Sequence, residues 1–253
     1  MKIKNKIPNF LTLMNLLCGC IAITMEFQGR YLIVVVLIFI AAFFDFCDGF
    51  LARLLKVKSD IGKDLDSLSD MVSFGVLPGI ILFNMINKSY IIPNYSIINI
   101  NPIPYVAFMI PLMSAVRLAK FNNDARQSEC FSGLPTPANT LFIVSLSMIL
   151  LQLNNNSQFF MYNYFIEIVT NYKILIIIAV ILSFLLVIPT PLISLKFKKS
   201  SKIDNIARIL FLFLSIILIL LFKWASSLLI LLLYYFVSLI CFFIKKKTLN
   251  SLN

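Results

Sequence analysis

Apolar runs of nearly bilayer-spanning length follow one another along the chain. They run from about Pro8 to Met25, Tyr31 to Leu55, Gly62 to Ile86, Ile103 to Phe121, Gly133 to Leu153, Tyr172 to Ile188, Ile206 to Phe222 and Ala225 to Ile244. A helix needs roughly 20 such residues to cross a bilayer. With 60% hydrophobic residues, 13% charged residues and a mean hydropathy of +0.94, the chain is too apolar for a soluble domain. The expected fold is an all-α, polytopic membrane helix bundle of about eight transmembrane helices. Little chain is left between the runs, so residues 1–253 are expected to form a single integral membrane domain. Pro189 and Pro191 are expected to end the sixth run, because proline cannot continue the helical ladder.

The first run follows Lys2, Lys4 and Lys6, as in a signal peptide. Asn9, Thr12 and Asn15 recur at three-residue steps and would line one helix face, which favours a retained helix. That face either lines a pocket or is hydrogen-bonded to a neighbouring helix for packing alone. The net charge of +11 finds its explanation in topology. Eighteen of the 22 Lys and Arg residues fall on one side of the eight-span arrangement, leaving Arg30, Lys88, Lys173 and Lys223 on the other. By the bias of basic residues toward the cytoplasm, both termini are expected there. No nucleic acid is implied; contact with anionic membrane lipids is. The five cysteines read as packing residues, and the absence of histidine removes the commonest general base and transition-metal ligand.

One stretch breaks the apolar pattern where it is costly to do so. Asp45 and Asp48 lie at the end of the second run, Asp66 and Asp70 at the start of the third. Carboxylates at membrane depth mark functional sites. Spacings of three and four put each pair on one helix face, and a short connection between antiparallel helices brings both pairs to the same depth. Four carboxylates that converge need a positive partner. Oxygen ligands alone point to hard divalent cations, magnesium or manganese, and two such ions could clamp a diphosphate. Gly49, Ala52 and Gly62 leave room for a ligand near the backbone, and Arg53 either holds a phosphate or reaches up to the headgroups. The competing reading pairs the aspartates with Arg53, Lys56 or Lys63 at a helix end.

The pattern Asp45, Asp48-Gly49, Ala52-Arg53, Gly62, Asp66, Asp70 resembles the complete signature of the CDP-alcohol phosphotransferases. Within that family, IPNFLTLMNLLCG from Ile7, GKDLDSLSDMVSFGVLP from Gly62, RLAKFN from Arg117 and GLPTPAN from Gly133 are similar to members whose acceptor is serine. The resemblance implies that Asp45, Asp48, Asp66 and Asp70 hold divalent metal, as two ions, and that Asp70 doubles as the base. It implies Gly49, Ala52, Arg53 and Gly62 beside the CDP moiety, CDP-diacylglycerol and L-serine as substrates, and a homodimer in the cytoplasmic membrane with its site facing the cytoplasm. Arg117, Asn122, Pro135, Pro137 and Asn139 are the acceptor candidates, with Arg117 either binding the serine carboxylate or anchoring a helix end. Asn9 and Thr12 are candidate pocket lining. The last two spans, 206–244, carry no chemical assignment beyond packing or dimerisation. Two other readings remain: another acceptor, glycerol phosphate or inositol phosphate, and a cation or proton transporter with the aspartates as relay.

Overall fold

The computed structural model of the protein describes residues 6–57, 59–89, 92–93, 100–123, 133–155, 162–188, 202–223 and 226–250. Loop residues 124–132, Pro189, Pro191 and the lysines 196, 198 and 199 lie outside them. Among the described residues the regular structure is helical, as a chain in lipid requires when it has no water to satisfy its backbone.

Helix α1 (Lys6–Phe27) carries one buried stripe, Pro8, Thr12, Asn15, Gly19, Ala22 and Glu26, at three- and four-residue spacing. Gly29, at φ +71°, turns the chain into α2 (Tyr31–Leu54), which lies back along α1. Ser59 caps α3 (Asp60–Asp70) by accepting the Gly62 N–H at 3.3 Å. Without interruption the chain then passes through a π-helical segment, Met71–Val76, into α4 (Leu77–Asn87).

The π segment has a local cause. Pro78 has no N–H to return to the Phe74 carbonyl four residues earlier, and its ring crowds that carbonyl. The backbone widens ahead of it. Thr140 then offers its hydroxyl to the freed Phe74 oxygen at 2.9 Å, an acceptor that lipid could not satisfy, and shares it with the Thr136 carbonyl at 3.0 Å. Leu77, Ile81, Leu82 and Ile86 are fully buried, so this third span is the centre of the bundle.

A 3-10 turn, Ile103–Phe108, leads into α5 (Met109–Asn123). Next come α6 (Thr136–Asn155), α7 (Tyr162–Thr170), α8 (Tyr172–Val187), α9 (Lys202–Phe222) and α10 (Ser226–Asn250). Helices α1, α5, α6 and α8 pack around the third span, while α9 and α10 pair with each other and α10 leans on α6. Helix α8 ends at Val187, and Ile188 is extended (φ −67°, ψ 129°), the conformation forced on a residue that precedes proline. Between the fifth and sixth apolar runs lies α7, with Phe165 and Val169 buried one turn apart.

Five helical segments, 6–27, 31–54, 61–87, 103–123 and 205–222, are long and apolar enough to cross a membrane. Shorter apolar helices at 136–149, 172–187 and 226–241 fall on the remaining runs. Large apolar side chains such as Phe10, Phe43, Phe46, Phe213 and Leu220 face outward, as they do when lipid is the solvent. The molecule is an all-helical membrane bundle.

Candidate functional site

Helices α1, α2 and α3 meet around the acidic residues. Carboxylate oxygens of Asp45, Asp48 and Asp66 lie within 4.8 Å of one another, with Asp48 buried and the other two half-buried. Asp70, one turn beyond Asp66, stands outside this trio but within electrostatic reach of all three. Among the described residues no Lys or Arg is ion-paired with any of the four. The nearby cations are engaged elsewhere: Arg53 Nε donates to the Gly49 carbonyl at 2.8 Å, and Lys63 Nζ donates to the Asn122 carbonyl. Helix-end ion pairs therefore do not account for the cluster. Three oxygen donors at this separation, with no Lys or Arg among the described residues paired to them, fit a hard divalent ion.

Two residues of α1 hold the carboxylates. Thr12 Oγ1 donates to Asp48 Oδ2 at 2.5 Å, and Asn15 Nδ2 donates to Asp70 Oδ1 at 3.2 Å. The main chain of the same two residues is tied to the third span. Ser69 Oγ donates to the Thr12 carbonyl at 2.8 Å and Ser73 Oγ to the Asn15 carbonyl at 3.0 Å. Such a close approach needs Gly19, since a Cβ there would collide with Ser73. Asn9 sits against Gly62, where an added Cβ would lie 3.0 Å from Asn9 Oδ1.

Gly49 faces open space, so its surroundings admit a ligand, and Ala52 lies half-buried beside it. Arg53 is exposed. Asn122 reaches α3, where its Nδ2 donates to Ser67 Oγ at 2.7 Å. Arg117, five residues earlier on α5, buries its Nε without a hydrogen-bond partner and interacts electrostatically with Asp70 and with Tyr235 of α10. Asn139 is fully buried on α6, and neither its Oδ1 nor its Nδ2 has a partner. Pro137 lies in the first turn of α6, a position that tolerates its missing N–H. Pro135 lines an apolar cavity of about 690 Å³ between α2, α6, α9 and α10, with Phe39, Phe142, Phe211, Ile230 and Tyr234.

The sequence therefore pointed to the acidic residues the fold brings together and placed Asn15 on the polar face of the first run without assigning it to the site, while Ser69, Ser73 and Tyr235 went unnoticed. Asn15 shares the three-residue spacing of Asn9 and Thr12 and was open to inclusion on that signal. Nothing in an apolar run marks Tyr235.

The sequence model of the CDP-alcohol phosphatidyltransferases matches residues 5–185. Among curated proteins, the chain is 34% identical over 143 residues to the CDP-diacylglycerol--serine O-phosphatidyltransferase of Bacillus subtilis (strain 168), covering 56% of this chain and 76% of that protein. It is 33% identical to the protein of the same name from Methanocaldococcus jannaschii, over 57% of this chain and 61% of that one. It is 32% identical to the archaetidylserine synthase of Methanothermobacter thermautotrophicus, over 55% and 56%. Against these last two relatives, the chain spans little more than half of their length. Every one of the acidic residues and the α1 groups that hold them falls inside the region matched, and the chain belongs to the CDP-alcohol phosphatidyltransferase family.

Proposed function

We propose that the protein transfers the phosphatidyl group of CDP-diacylglycerol to the hydroxyl of L-serine, giving phosphatidylserine and CMP. Relatives of that name support the reaction, and one observation carries the choice of acceptor. The guanidinium of Arg117 has a buried Nε with no partner close to Asp70. A guanidinium with a buried donor unfilled in that setting suits an acceptor that brings its own carboxylate.

Asp70 takes the proton of the serine hydroxyl, and the oxygen attacks the phosphorus that carries the diacylglycerol. The bond from that phosphorus to the CMP oxygen breaks, and CMP leaves with the electron pair. Asp45, Asp48, Asp66 and Asp70 would hold two divalent cations, magnesium or manganese, whose charge would stabilise the diphosphate and the leaving group. Gly49, Ala52 and Gly62 border the CDP moiety, with Arg53 at its exposed edge and Asn9 against Gly62. Asn122, Pro137 and Asn139 shape the acceptor side. Pro135 and the apolar cavity behind it suit an acyl chain of the donor.

This reading takes residues 1–253 as one domain with eight spans, both ends of the chain on the cytoplasmic side of the cell membrane, and a homodimer as the working unit. Oxygen donors gathered at one end of α2 and α3 favour transfer over ion transport.

The test is CMP release by the detergent-purified protein from CDP-diacylglycerol, with serine, glycerol phosphate or inositol phosphate, each with and without manganese or magnesium. Metal-dependent release with serine alone is expected. Release with another alcohol alone overturns the acceptor, and metal-dependent ion flux in liposomes without any CMP release overturns the reaction.

A further inference from the structure

Four hydrogen bonds that Thr12 and Asn15 of α1 make to neighbouring helices share a pattern that packing does not require. Thr12 and Asn15 each receive a hydroxyl from the third span on their carbonyl, and each sends its side chain to one carboxylate. The serines are four apart, Ser69 and Ser73, and both are fully buried. The register of α1 on the third span is therefore fixed at the two residues that touch the carboxylates. Thr12 has a single proton and two acceptors, the Pro8 carbonyl at 3.1 Å and Asp48 Oδ2 at 2.5 Å. The shorter, charge-assisted bond holds it. An ionised Asp70 only accepts, so Asn15 must present its amide NH₂ to it.

The carboxylates so held differ in place. Asp48 belongs to the trio whose oxygens converge, whereas Asp70 lies outside it. We propose that Thr12 and Asn15 are positioning residues with separate tasks, Thr12 fixing Asp48 for cation binding and Asn15 fixing the Asp70 carboxylate for proton transfer, with α1 as the frame that sets both. This rests on the transferase reading of the acidic site and adds to it residues that touch neither substrate. A hydroxyl or amide bonded to a ligand carboxylate selects its rotamer, and loss of such a partner typically lowers metal affinity about 10- to 100-fold.

The test measures Mn²⁺ binding by the loss of the free-ion spin-resonance signal, apart from any turnover, in the full-length protein in detergent. Asp66→Ala is the reference for loss of the site. Thr12→Val and Thr12→Ala are expected to weaken Mn²⁺ binding about 10- to 100-fold, and Thr12→Ser to keep it. In an Asp48→Asn background, Thr12→Val should cost nothing further, because Thr12 acts through Asp48. Asn15→Leu is expected to weaken Mn²⁺ binding less than Thr12→Val does, because the carboxylate it holds stands outside the three that converge, and to lower kcat without raising the KM for CDP-diacylglycerol. Thermal midpoints of all variants separate these effects from unfolding, and the serine variant keeps the Thr12 arm decisive if valine and alanine fail to fold. Wild-type affinity in Thr12→Val, an additive loss in the Asp48→Asn background, or equal Mn²⁺ losses in Thr12→Val and Asn15→Leu would overturn the proposal. Mn²⁺ binding that Asp66→Ala leaves unchanged would overturn the metal-site reading beneath it instead.

Discussion

Exchanging one oxygen of Asp70 for nitrogen keeps its shape and removes its ability to take a proton. Asp70→Asn is therefore expected to lower kcat by about 10²- to 10⁴-fold while the protein still binds radiolabelled CDP-diacylglycerol; retained turnover would exclude Asp70 as base. Arg117→Ala removes a charged hydrogen-bonding group from a buried setting. It is expected to raise the KM for serine about 10- to 100-fold, from the roughly 1.5–3 kcal/mol such bonds contribute, and kinetics with serine at fixed donor check it. The aspartates were legible in the sequence because a carboxylate among apolar residues is conspicuous. Thr12 and Asn9 were legible only as a stripe, since their spacing gives a face and not a partner. The contact of Tyr235 with the site was not legible at all. It depends on how α10 is set against the rest of the bundle, which a uniformly apolar run leaves open.

Among the elements, the third span shows what a single proline does. Pro78 releases the Phe74 carbonyl, the helix widens over Met71–Val76, and Thr140 closes the gap from α6. An extra residue in a turn shifts the side chains beyond it by about 100° relative to a regular helix. The faces of α3 and α4 are thereby set independently, one toward the carboxylates and the other into the core. Thr140→Val should leave the Phe74 carbonyl without its partner and cost about 1–3 kcal/mol, read as a lower unfolding midpoint in detergent. A midpoint unchanged from wild type would mean that another donor takes over. The apolar runs foretold where helices lie, because length and hydropathy suffice for that. They did not foretell the π segment, the 3-10 start of the fourth span or α7, which arise from proline positions and from local burial of Phe165 and Val169.

For the whole molecule, the distribution of Lys and Arg predicts orientation. A cysteine placed at Lys56, in the exposed turn between α2 and α3, should be shielded from a membrane-impermeant maleimide added outside intact cells, whereas one at Arg30, between α1 and α2, should react. The reverse pattern would invert the topology and put the carboxylates on the outer side.

Every group described above as gathering or steadying the acidic cluster lies between Thr12 and Ser73, in α1, α2, α3 and the π segment that continues α3. Arg117 follows with α5, and the apolar cavity is completed last, by α9 and α10. From the end of α4 at Asn87 to Asn139, the last of the acceptor-side residues, about 50 residues follow, which at 5–20 residues per second takes roughly 3 to 10 seconds. During biogenesis the nascent hairpin of α1 and α2 with α3 can thus capture its cation before the acceptor side exists, and the ion can act as a staple that matures the bundle from its amino-terminal end.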